Sequence, residues 1–283
     1  MAINLQYKNK DTIIEMVEKA GVYILQYPMI SNLEFVKHGI STRLGGVSEG
    51  VCSTMNLSFS RGDKDEYVRE NFKRMGLALE IDEESFTFSA QTHTTNIKVI
   101  KEEDKGKGLT KELDYSDVDG LITNIPGICL STFYADCVPL FFIDPVNRVI
   151  GLSHSGWRGT VGKIGKITIG QMTKEFNTSP KDVIVAIGPS ICQDCYEVNK
   201  DVILEFQTAF DQRFWNDLYY KKENGKYQLN LWKANELVLL EAGIQPSHLV
   251  ITNLCTCCNE KWLFSHRASH GERGNLGAFL MLK

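Results

Sequence analysis

Residues 137–154 read Cys137-VPLFFI-Asp144-Pro145-Val146-Asn147-RVIGLS-His154, two apolar runs joined by turn formers. Proline stands at the second turn position with Asx residues on either side, and this predicts a β-hairpin. With Asp144 facing Asn147, the ladder runs outward to pair Cys137 with His154. Their side chains would then share one face, with Cβ atoms about 4.5–5.5 Å apart. Pro139, Phe141, Ile143, Ile150 and Leu152 line one side of the hairpin, and Val138, Leu140, Phe142 and Val149 line the other. Both faces are apolar, so both are covered. A polar pair at the open end of buried strands suits two ligands of one metal ion, or a catalytic Cys–His pair.

Outward from the hairpin, GLITNI, GICLSTFY, VPLFFI and RVIGLSH form a dense β-rich series over residues 120–155. FTFSAQ and NIKVI read as short strands around the polar knot Gln91–Thr95, and EEDKGKGLTKELDYSD as a charged surface loop. Val68, Phe72, Met75 and Leu79 predict a helix over about 64–80, and Val161, Ile164, Thr168 and Met172 another. KDVIVAIG, HLVIT and LGAFLML read as strands, and 198–210 and 231–242 as helices. Thr12 with Glu15 makes a capping box ahead of Ile13, Ile14, Met16 and Val17, which predicts a short helix before the strand GVYILQYP. Strands bunched before and between helices indicate an α+β fold with mixed β-sheets packed between helices. The expected organisation is an N-terminal helix/strand extension over residues 1–30 and a single domain over 31–283.

The 283 residues carry a net charge of −4, with no basic excess to attract nucleic acid. The hydrophobic share of 43% and charged share of 23% are those of an ordinary water-soluble globular chain, which excludes wholesale disorder. No run reaches the ~18 apolar residues of a membrane span, and the N-terminus lacks the apolar block of a signal peptide. A cytoplasmic protein with no membrane partner is expected, a monomer in the simplest case. Its eight cysteines are then read as buried, metal-binding or reactive rather than paired in disulfides.

Among the histidines that can join Cys137 and His154, His93 follows a strand within a polar loop and ranks ahead of His266 in FSHR, with His38 and His248 at strand edges. Asp136 either orients a ligand or accepts a local hydrogen bond. In His154-Ser-Gly-Trp-Arg158-Gly-Thr160 a strand passes straight into a helix, presenting backbone N–H groups and an arginine to an anion. Ser41-Thr-Arg43-Leu-Gly-Gly-Val-Ser48 again sets an arginine beside glycines. Cys192-x-x-Cys195 has zinc-ligand spacing, but Cys255-Thr-Cys-Cys258 reads as a different pattern, so packed or redox-sensitive thiols are expected at Cys192, Cys195, Cys255, Cys257 and Cys258.

These motifs identify a resemblance. HGISTRLGGVS with Met55-Asn56-Leu57, QTHTTNI, ADCVPL, HSGWRGT, IGPSICQDCYEV and FSHRASHGERGNLGAF, in that order from about Lys37 to the C-terminus, resemble the YfiH/YlmD family of purine nucleoside phosphorylases, long described as laccase-domain proteins. The resemblance implies layered α/β/β/α architecture and metal ligation by His93, Cys137 and His154. It implies zinc, with copper as second choice, and purine nucleosides and phosphate as reactants. The implied reactions are phosphorolysis of adenosine, inosine, guanosine and methylthioadenosine, and deamination of adenosine. Arg43 and Arg158 are the expected phosphate holders, with Asn56 and Gln91 orienting the nucleoside. The tail ERGN departs from a TGR-like pattern.

A multicopper oxidase needs a histidine-rich cluster, and six scattered histidines are too few. The competing reading is a metal-free hydrolase or deamidase in which Cys137 is the nucleophile and His154 its base, similar to deamidase toxins of the cytotoxic necrotizing factor type. A metal-binding interaction protein explains the ligands but not the two Arg/Gly elements.

Overall fold

A computed structural model describes residues 3–11 and 13–283. One six-stranded sheet has the spatial order Glu15–Lys19, Val22–Gln26, Val36–Ser41, Leu276–Leu282, Cys129–Tyr134, Phe86–Phe88. A second runs Leu249–Ile251, Ile184–Ile187, Val138–Asp144, Val149–Ser155, Gly120–Thr123, Ile97–Val99. Each mixes parallel and antiparallel pairs, so the chain is a mixed α+β fold.

Three apolar clusters explain the layering. Leu25, Ile40, Leu130 and Leu280 of the first sheet meet Leu121, Phe141, Ile143 and Leu152 of the second in a core between the sheets. Val138, Leu140, Phe142 and Val149 on the second sheet's outer face are covered by helices Ile164–Phe176, Lys200–Ala209 and Leu231–Glu241. Phe279, Met281 and Phe86 on the first sheet's outer face are covered by Val68, Phe72 and Met75 of the helix Asp65–Leu79. The hairpin is therefore buried on both faces, and its polar end sits between rigid layers.

Its register is not the expected one. Asp144 pairs with Val149 and Pro139 with His154, so the connection holds four residues rather than two. The cause is local: Asp144 Oδ1 accepts the N–H groups of Val146 (2.9 Å) and Asn147 (3.0 Å), and Arg148 closes the turn at φ 54°. An Asx turn thus replaces the tight two-residue turn. A slip of two residues keeps every side chain on its face, since the strand period is two. Cys137 and His154 become diagonal neighbours on one side instead of a direct pair.

The short helix expected near residue 15 is instead the strand Glu15–Lys19, paired to Val22–Gln26 across Ala20-Gly21, whose φ values of 51° and 76° suit a primed hairpin turn. The capping-box residue Thr12 lies outside the described residues. A small sheet of Glu197–Val198, Tyr227–Leu229 and Tyr219–Lys221 was not foreseen; its strands of two or three residues carry too little periodicity to read. No helix among the described residues is long and apolar enough to cross a membrane.

Candidate metal centre

Three elements converge at the open end of the hairpin. Cys137 precedes the strand Val138–Asp144, His154 ends the apolar run of Val149–Ser155, and His93 is held at φ 67° in the loop after Phe86–Phe88. Their ligand atoms all lie within 4.8 Å of one another, with His93 Nε2 4.0 Å from Cys137 Sγ. His154 is buried, Cys137 half-buried and His93 exposed, so the group opens to solvent on one side. Gly156 keeps the space clear: a Cβ there would come within 2.9 Å of His93 Cδ2 and 3.2 Å of Cys137 Sγ.

The residue that organises the group is Asp119, fully buried at the start of the strand Gly120–Thr123. Its carboxylate accepts His154 Nδ1–H at 2.7 Å and the backbone N–H groups of Thr92 (2.8 Å), His93 (3.1 Å) and Thr94 (3.0 Å). One side chain thus fixes the loop that carries His93 and the tautomer of His154, leaving His154 Nε2 free as a ligand. Burial pushes Asp119 up, but His154 and the amides outweigh it and hold the carboxyl below its ordinary range. The Asp136 carboxylate accepts instead from Thr256 Oγ1 (2.6 Å) and the Arg267 amide (2.7 Å), which ties the residue before Cys137 to two segments far away in the chain. Nothing near Asp119 in sequence announces its role; the structure pairs Gly120 with Ser153, which sets Asp119 beside His154.

Burial pushes the Cys137 thiol up, yet the imidazoles of His154 and His93 outweigh it and hold it down at about 6. Burial also disfavours charge on His154, but the Cys137 thiolate and Asp119 raise it to about 9. The two shifts act together to favour a thiolate beside an imidazolium. Two imidazole nitrogens and one thiolate, with the second His154 nitrogen committed to a carboxylate, form the borderline-soft set that zinc takes at three-ligand sites.

Beside the group lies a cavity of about 240 Å³ whose wall includes Gln91, Ser58, Ser60, Arg61 and Arg273. Arg273 is buried, its Nε has no hydrogen-bond partner among the described residues, and burial together with Arg61 lowers it to about 10. Two facing cations with an unsatisfied donor form a site for an anion. A second cavity of about 480 Å³ shares Ser58, Ser60 and Phe133 with the first and adds Phe59 and Phe88.

The structure puts Gln91 in this wall, where its amide is pinned by Phe133 O (2.7 Å) and Phe133 N (2.7 Å). Asn56 is instead fully buried, bonded to Ser58, Asp63 and the Asn275 amide. Arg43 donates to Ser53 O (2.9 Å) and Glu260 O (2.8 Å) and lies over the Phe264 ring, outside the cavity wall. Arg158 is exposed, stacked over Trp157 on the short helix Trp157–Val161. Neither Arg43 nor Arg158 lines this cavity. Arg61 beside Gly62, and Arg273 between Gly271 and Gly274, carry the same signal of arginine beside glycine.

A second set gathers elsewhere: Cys192, Cys195, Cys255 and Cys258 also have all their sulfurs within 4.8 Å of one another. Cys255 and Cys258 themselves stand in C-x-x-C spacing, which the reading as Cys-Thr-Cys-Cys obscured. This cluster can hold a metal, in place of the separate packed thiols expected.

The sequence model of a family described as multi-copper polyphenol oxidoreductase laccase matches residues 37–283. Purine nucleoside phosphorylase YlmD of Bacillus subtilis is 33% identical over 247 residues, covering 87% of this chain and 88% of that protein. Adenosine deaminase RL5, from an unknown prokaryotic organism, is 32% identical over 246 residues, covering 84% and 93%. The crystal structure of YlmD from Geobacillus stearothermophilus superposes with a TM-score of 0.88 at 31% identity, over 96% of this chain and 99% of that one.

Proposed function

As the chain belongs to the YfiH/YlmD family of laccase-domain purine nucleoside phosphorylases, we propose that it is a zinc-dependent enzyme that phosphorolyses purine nucleosides and also deaminates adenosine. The observation that carries the reading is the convergence of His93, Cys137 and His154, oriented by Asp119, on a cavity walled by Arg61 and Arg273. A protein with deaminase activity and several phosphorylases among the relatives support both halves of it.

His93 Nε2, Cys137 Sγ and His154 Nε2 would hold the ion, and when bound zinc supplies Lewis acidity beside the nucleoside. Arg61 and Arg273 hold the phosphate dianion, which satisfies Arg273 Nε and relieves the repulsion between the two cations. In phosphorolysis a phosphate oxygen bonds to the anomeric carbon as its bond to the purine nitrogen breaks, through a sugar with cationic character. Holding phosphate against that carbon supplies both proximity and charge stabilisation. The aromatic wall of Phe59, Phe88 and Phe133 in the adjoining cavity suits a purine ring. Gln91, locked by Phe133, offers a rigid polar edge to the nucleoside.

The depressed Cys137 thiol favours a second reading, a metal-free Cys–His hydrolase, because a thiolate beside an imidazolium is also a nucleophile and its acid. Against it stands His93, a second imidazole 4.0 Å from the same sulfur, for which that mechanism has no task. Purified protein incubated with adenosine or inosine, with and without phosphate, tests the proposal. Free base and a sugar phosphate formed only with phosphate, plus inosine from adenosine, are expected. Their absence with every purine nucleoside would remove it.

A further inference from the structure

The four-cysteine cluster is built at the ends of two neighbouring strands. Ile184–Ile187 and Leu249–Ile251 run parallel, and the bridge Ser190↔Cys255 extends their pairing. Beyond it, Cys192 and Cys195 lie on one tight turn, at Gln193–Cys195, and Cys255 and Cys258 on another, at Cys257–Asn259. Two C-x-x-C turns therefore face each other across the end of the sheet. Cys195 and Cys258 sulfurs are 3.6 Å apart, close to the edge of about 3.8 Å that tetrahedral Zn–S bonds of ~2.3 Å require.

The surroundings suit thiolates. Cys255 Sγ accepts the amide N–H groups of Cys192 (3.2 Å) and Cys258 (3.5 Å), and the latter is a turn bond within its own C-x-x-C. Lys8 Nζ, bonded to Asp194 at 2.9 Å, places its charge beside Cys192 and Cys258, where it offsets the excess negative charge of a tetrathiolate. Four protein ligands leave no open position, so the site is of the closed, structural kind.

The cluster also touches the candidate metal centre. Thr256, between two of the cysteines in sequence, donates to Asp136; the Arg267 amide donates to the other Asp136 oxygen, and Arg267 Nη1 bonds Cys195 O at 3.1 Å. The Ile191 amide donates to Asp136 O at 3.0 Å. Asp136 sits at φ 84° immediately before Cys137. We propose that Cys192, Cys195, Cys255 and Cys258 bind a second zinc ion in a closed tetrathiolate site, which clamps the two turns together and through Asp136 holds Cys137 in its ligand position. These cysteines are positioning residues.

The test is metal stoichiometry on intact protein purified under reducing conditions. About two zinc ions per chain are expected, falling to about one in Cys137→Ala/His154→Ala and to about one in Cys195→Ser/Cys258→Ser. The latter variant should also melt at a lower temperature and hold its remaining zinc less tightly. Should it fail to fold, mercurial titration of the wild-type protein with a zinc indicator reads the same quantity, with two ions released. Cobalt substitution of Cys137→Ala/His154→Ala should give the intense sulfur-to-metal charge-transfer bands of a tetrathiolate. One zinc per chain, all lost in Cys137→Ala/His154→Ala, would overturn the proposal. So would iron in the cluster, or a native mass showing a Cys195–Cys258 disulfide. If zinc is lost only in the Cys195/Cys258 variant, this site stands and the one at His93, Cys137 and His154 fails.

Discussion

Replacing Asp119 by Asn keeps the shape of the side chain and removes its charge, so it isolates the carboxylate's role. Asp119 Oδ1 takes His154 Nδ1–H and the His93 amide, and Oδ2 takes the amides of Thr92 and Thr94. An asparagine has one acceptor oxygen. With that oxygen toward His154, its NH₂ faces two N–H donors, and at about 1 kcal/mol each, the low end for a part-buried orphan, the loop loses about 2 kcal/mol. With the amide flipped, His154 Nδ1–H faces a donor and the tautomer that frees Nε2 is no longer favoured. For a chain of this size the melting temperature should fall by about 4 °C. Loss of an outer carboxylate–histidine contact should weaken zinc binding by about 10–100-fold. Calorimetry gives the first quantity; competition with a chromophoric chelator gives the second, with Cys137→Ala as the blank for ions held elsewhere. An Asp119→Asn protein that binds zinc as tightly as wild type and melts at the same temperature would refute the view that one carboxylate orients two ligands.

Gly156→Ala, which pushes a methyl against His93 and Cys137, should weaken zinc binding at this centre by roughly tenfold with little change in the melting of metal-free protein; chelator competition and calorimetry on the variant check both. Arg61→Ala and Arg273→Ala should each raise the KM for phosphate by roughly tenfold or more and spare adenosine deamination, since charge-assisted bonds are worth about 1.5–3 kcal/mol. Arg43→Ala should leave that KM unchanged and lower the melting temperature, because its guanidinium joins Ser53 to Glu260; steady-state kinetics with varied phosphate separates the cases. Burial, with Lys19 adding repulsion, lowers His38 from 6.5 to about 3, while its Nε2 accepts the Tyr27 amide at 2.8 Å. The unfolded chain therefore binds a proton that the folded one does not, so this stabilisation is full above pH 6.5 and is lost as pH falls toward 3, at about 1.4 kcal/mol per pH unit. Urea unfolding across that range should show the slope in wild type and its loss in His38→Gln.

Periodicity carried most of what the sequence disclosed. The two faces of the hairpin were legible because strand side chains alternate, and the same period protected the face assignment when the Asp144 turn moved the register by two. The segment around residue 15 was misread because four apolar residues in a window of five satisfy a helix and a strand alike; the Ala20-Gly21 turn was the better signal. Asp119 escaped because its importance lies in contacts between residues far apart in the chain, which no local pattern encodes. Arg43 and Arg158 were favoured by adjacent glycines, yet glycine beside arginine marks a turn as readily as an anion site. The facing C-x-x-C turns were hidden by Cys257, a fifth cysteine inside the second pair.

Turnover by protein whose zinc has been removed tests the central claim most directly. Zinc should be stripped until elemental analysis finds none at His93, Cys137 and His154, with Cys137→Ser, Cys137→Asp and Cys137→His run alongside. The zinc-dependent reading predicts that phosphorolysis falls with occupancy and returns on adding zinc. It predicts that Cys137→Ser loses metal and activity together, that the Asp or His variant retains part of both, and that no substrate adduct forms on Cys137. Full activity in the zinc-free protein, with a thiol-linked intermediate trapped on Cys137, would contradict it.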